Sequence, residues 1–135
     1  KSFSPMYGTN RLHNGFMDYF YFGNSHFNSF GLNDYYLKSN LKFSPNSILQ
    51  ANLHAFTSNG KLGFDTSGEK IPSYLGTELD LVFTHKIGKS ITANLGHSFM
   101  FSGKSMEYLK NVPEPKNLRT WSWIAFRIAP NFKIK

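Results

Sequence analysis

The sequence predicts an all-β fold: an antiparallel transmembrane β-barrel segment, five or six strands of a larger barrel, with short periplasmic turns and long external loops. Three observations point there. The stretch "YLGTELDLVFTHK", Tyr74–Lys86, sets Leu75, Thr77, Leu79, Leu81 and Phe83 against Gly76, Glu78, Asp80, Val82 and Thr84. Neighbouring side chains of a strand point to opposite faces, so one face is apolar and the other carries two carboxylates. Four further stretches alternate in the same way over about ten residues or more, the length a tilted strand needs to cross a bilayer. Finally, the connections alternate short and long, as periplasmic turns and external loops do.

The elements follow in order. Asn10–Phe30 is rich in Gly, Asn and aromatics and is expected to be an external loop, with length for a sixth strand. Its Phe16, Tyr19, Tyr21 and Phe22 could stack on sugar rings. The preferred reading is that they pack on one another or fold inward to narrow a pore. Gly31–Phe43 follows as a strand whose polar face holds Tyr36, Lys38, Asn40 and Lys42. Ser44-Pro45-Asn46 is a tight turn. Ser47–Thr57 sets Leu49, Ala51, Leu53 and Ala55 against Gln50, Asn52 and His54.

A long polar loop, "SNGKLGFDTSGEKIP", leads to the Tyr74 strand, and Ile87-Gly88-Lys89 is a second tight turn. Ser90–Ser102 sets Ile91, Ala93, Leu95, Phe99 and Phe101 against Thr92, Asn94, Gly96 and Ser98. In the next long loop, Ser105–Lys110 suits one helical turn. Thr120–Pro130 closes the series, with Ile124, Phe126 and Ile128 apolar and Arg127 opposite. Counting from the turns, the last strand runs downward and the C-terminus is periplasmic.

The polar face is read as wet and channel-lining. Levelled from their turns, the strands bring Glu78 and Asp80 to the height of Tyr36, Lys38, Asn52 and His54. The result is a band of mixed charge of the kind that sets solute preference. The apolar face carries aromatics towards the strand ends, among them Tyr35, Phe43, Phe83, Phe99 and Phe101, as in interfacial girdles. No amphipathic helix or second sheet is evident to cover it, so it is expected to meet lipid.

Composition narrows the classes. The chain has 135 residues, enough for a single domain. No apolar run approaches the roughly 18 residues of a spanning helix. Its net charge of +7 comes from scattered Lys and Arg, without a basic run, so nucleic acid is not expected as a partner. There is no cysteine. His13, His26, His54, His85 and His97 show no metal-ligand spacing, and no nucleophile elbow or phosphate loop is present. No cofactor, metal or catalytic residue is expected, and the chain is read as not an enzyme. The alternatives are an outer-membrane barrel enzyme, a structural barrel subunit of an envelope complex, or a soluble lipocalin-like binding barrel folded apolar side inward.

Four blocks, "NRLHNGFMDYFYFGN" (Asn10–Asn24), "GLNDYYLKSNLKFSP" (Gly31–Pro45), "SYLGTELDLVFTHKI" (Ser73–Ile87) and "TWSWIAFRIAPNF" (Thr120–Phe132), carry a resemblance over nearly the whole chain. The sequence resembles the C-terminal part of the alginate-export-like outer-membrane porins of the Bacteroidetes group. The resemblance implies a bacterial outer-membrane location and a porin-like channel for passive passage of small hydrophilic or saccharide solutes. Its partners would be outer-membrane lipid, the remaining strands of the barrel and other envelope proteins. His97 departs from the pattern, because an aromatic would suit the lipid face better there. A closed barrel needs at least eight strands, so the chain is expected to be the C-terminal fragment of a longer one.

Overall fold

The computed structural model describes residues 15–20, 31–110 and 117–130. Five strands, β1 (Leu32–Ser44), β2 (Ser47–Ser58), β3 (Tyr74–Ile87), β4 (Ile91–Ser102) and β5 (Leu118–Ile128), form one antiparallel sheet in sequential order. Among the described residues one short helix, α1 (Lys104–Lys110), follows β4. The sheet is open: among the described residues nothing pairs with the outer edge of β1 or of β5.

Local chemistry explains the elements. Alternation sustains each strand for 11 to 14 residues. Pro45 and Asn46 close the β1–β2 hairpin, where Ser44 Oγ accepts from the Asn46 amide at 3.2 Å. Gly88 turns the β3–β4 hairpin with φ +70°. In the long β2–β3 connection, Asp65 Oδ1 accepts from the amides of Ser67 and Glu69, and Phe64 bridges to Lys70.

The register levels the polar face as expected. Lys38, Asn52, Asp80, Ser98 and Trp121 lie side by side across the five strands, and Tyr36, His54, Glu78, Met100 and Arg119 form the adjacent row. The buried cluster sits on this face, at the end of the sheet where the long connections emerge. It comprises Phe20, Phe56, Leu62, Ile71, Leu75, Met100 and Met106.

Leu75 is a correction. Alternation assigns it to the same face as Leu79, yet it is buried in the cluster on the opposite side. The register shifts between Phe56 and Thr57, whose partners are Gly76 and Tyr74, leaving Leu75 as the extra residue of a bulge. A bulge re-aims a side chain in this way.

Gly96 and Trp123 are cross-strand partners. A Cβ on Gly96 would come within 2.1 Å of the Trp123 ring, so the indole lies flat in the space that glycine leaves. Gly96→Ala is therefore expected to overpack the pair and cost about 1–3 kcal/mol. Trp123→Leu in the same chain should recover most of that loss in denaturant unfolding. An additive double mutant would mean that the ring is free to move aside.

Candidate functional site on the polar face of the sheet

The expected channel-lining residues share one face and divide into two groups by cover. Tyr36, Lys38, Asn40 and Lys42 on β1 are exposed, as is Arg127 near the end of β5; Gln50 and Asn94 are half-buried. Lys38 sets its ammonium 5.1 Å from the centre of the Tyr36 ring. Asn94 Oδ1 accepts from Thr84 Oγ1 at 2.8 Å, and Gln50 Nε2 donates to Asn52 Oδ1 at 3.2 Å.

Asn52, His54, Glu78, Asp80 and Ser98 are buried, with Glu78 and Asp80 at 0% exposure. Here the structure departs from the expectation that the two acids stand in water. Their cover is the segment Gly15–Phe20, which lies across the polar face. The Met17 amide donates to Glu78 Oε1 at 2.8 Å and the Phe16 amide to Asp80 Oδ2 at 3.3 Å. Successive backbone N–H groups of this kind form a concavity suited to anions. Asp80 Oδ1 also accepts from the Ser98 hydroxyl. Glu78 Oε2 has no hydrogen-bond partner among the described residues.

Gly15 permits this approach. It is buried, has φ +83°, and a Cβ there would lie 2.6 Å from the Glu78 carboxylate. Asp18 also takes positive φ, +54°, which turns the chain back towards the cluster. Phe20 then packs on Phe56 with ring centres 4.5 Å apart, while half-buried Met17 and Tyr19 lie against the same cluster. Of the four loop aromatics singled out in sequence, Phe16 and Tyr19 lie in this covering segment. Tyr21 and Phe22 lie outside the described residues.

His54 is held from two sides. Its Nδ1 donates to Asp34, 3.0 Å from both carboxylate oxygens. Its ring stands between Tyr36 and Phe56, at 5.7 and 5.8 Å between centres. Among the described residues no group of three or more His, Asp or Glu side chains could hold a metal ion. Sequence reasoning missed Phe56, Met100, Arg119, Trp121 and Trp123 on this face. Even spacing from His54, Ser98 and Arg127 places them there, and their bulk or charge hides the signal.

The opposite face is apolar, and no described residue covers it. Leu37, Ile124 and Ile128 are 68%, 61% and 69% exposed. His97 does lie on this face; its Nδ1 is 2.6 Å from Ser122 Oγ on β5, and its ring meets Phe99 edge-on.

No family model matches the chain, nor does any curated protein or solved structure.

Proposed function

We propose that this chain is wall and internal cover of an outer-membrane β-barrel, a porin-like channel of the alginate-export-like kind for passive passage of small hydrophilic or saccharide solutes. One observation carries the reading: the sheet buries the loop end of its polar face while no described residue covers its apolar face. A half-solvated antiparallel sheet in water does the reverse, as does a lipocalin-like barrel. A broad exposed apolar surface marks a contact with membrane or partner, and strands of 11 to 14 residues are long enough to cross a bilayer at a tilt.

The outer edges of β1 and β5, which no described residue pairs, fit the same reading. Unpaired backbone groups are costly in hydrocarbon, so β1 and β5 require further strands to close the barrel. His97 and Ser122 satisfy each other on the lipid side, which lowers the cost of two polar groups there. The exposed groups of β1 and Arg127 supply a hydrated stretch of wall.

The chain's lack of cysteine makes the test clean. Single cysteines at Leu95 and Ile124, carrying a bimane label in proteoliposomes, should be quenched by spin-labelled lipid. Labels at Asn40 and Lys42 should be quenched by iodide instead. The opposite pattern would transfer the case to a soluble barrel. In planar bilayers the protein or a variant of its wall should give an ohmic ion current, and a protein that conducts in no form is not a channel.

A further inference from the structure

We propose that Gly15–Phe20 is a strap that closes the loop end of the pore, and that Glu78 and Asp80 are the latch holding it. The inference rests on the channel reading above. Its basis is the uneven cover of the polar face. Towards the long connections, Phe20 of the strap, Leu62 and Ile71 of the β2–β3 connection and Met106 of α1 bury the wall. Towards the hairpin turns, Asn40, Lys42 and Arg127 remain exposed on the same face. A channel built on this wall is therefore filled at one end and open at the other.

The strap's attachment has two parts of different character. Phe20 anchors it by apolar contact with Phe56. The remainder is polar: the amides of Phe16 and Met17 point at the two carboxylates. Buried carboxyl oxygens need donors, and the strap's amides bring them to Glu78 Oε1 and Asp80 Oδ2. Bare, both carboxylates would face the pore and draw water and cations into it. Docked, they are fully covered. The same two side chains thus stabilise the closed form and make the open form polar. The fit at Gly15 indicates a built contact: its φ of +83° suits glycine, and a side chain there would have to displace the Glu78 carboxylate.

Two variants test the latch from opposite sides. Glu78→Ala with Asp80→Ala removes the acceptors from the wall. Gly15→Val leaves the wall intact and obstructs docking from the strap. Each is measured by single-channel conductance in planar bilayers. Each is also combined with Met17→Cys, which keeps the backbone amide and the Phe20 anchor and whose reaction with a water-borne maleimide reports whether the strap is docked. Both variants should raise the conductance of the full chain and speed labelling of position 17 several-fold, roughly fivefold for each hydrogen bond lost. Glu78→Gln with Asp80→Asn keeps an acceptor oxygen at each place and should fall between these and the wild type.

Unchanged labelling in both variants would overturn the latch. Faster labelling with unchanged conductance would show a strap that lies outside the conducting path, and the closure would be wrong. If no form conducts, the channel reading itself falls, and the labelling rate alone decides whether the acids hold the strap.

Discussion

Leu53→Arg should cost about 2–4 kcal/mol of folding stability in lipid vesicles, the penalty for a cation near mid-depth on the lipid face of a barrel. Leu53 lies mid-strand on β2, between Leu37 and Leu79, and is 45% exposed. In water an arginine at so open a position would change stability by no more than about 0.5 kcal/mol. The two environments therefore give answers that differ several-fold. Ile128→Arg provides the depth control. It stands at the end of β5 opposite Ile91, level with the β3–β4 turn, and should cost only about 0–1 kcal/mol. Guanidinium unfolding of the vesicle-inserted protein measures both. Two small and equal losses would mean that this face does not lie in hydrocarbon.

Strand limits were readable because alternation and turn chemistry are local. Tyr74–Lys86 differs from β3 only by Ile87, and Ser47–Thr57 from β2 only by Ser58. The row Lys38–Asn52–Asp80–Ser98 was also within reach. Each strand pairs with its sequence neighbour, so counting out from two tight turns sets the register of four strands. Ser105–Lys110, read as one helical turn, lies within α1.

What escaped depends on contacts distant in sequence. The Leu75 bulge needs Phe56 and the loop-end cluster to take up its side chain. The covering of Glu78 and Asp80 needs amides more than sixty positions earlier, and a backbone donor carries no side-chain signature. Gly15 was the available clue, a residue whose absent Cβ allows close approach, but glycine at a loop has several uses. His97 was placed on the apolar face by its parity. Its partner Ser122 comes from β5, the strand whose alternation is least regular.

Phe56→Ala should destabilise the loop end of the sheet by about 3–5 kcal/mol, the cost of deleting a buried aromatic ring and leaving part of its volume empty. Phe56 has no exposed surface. It meets Phe20 of the strap on one side and stacks on His54 on the other. Its ring therefore joins three otherwise separate elements: the strap, the β2 wall and the cluster that fixes Leu62, Ile71 and Met106. Local unfolding should be reported first where the cluster anchors a connection, because segments open with their own free energies. Protease cleavage within residues 59–73 should accelerate while the strands stay protected. Leu79→Ala supplies the contrast. Leu79 is half-buried on the apolar face; on the proposal that this face meets lipid, acyl chains would fill the vacated space, and its loss should cost about 1 kcal/mol or less by leaving no fixed cavity. Equal losses at the two positions would mean that the two faces are packed alike, and the assignment of one to an internal cluster and the other to lipid would fail.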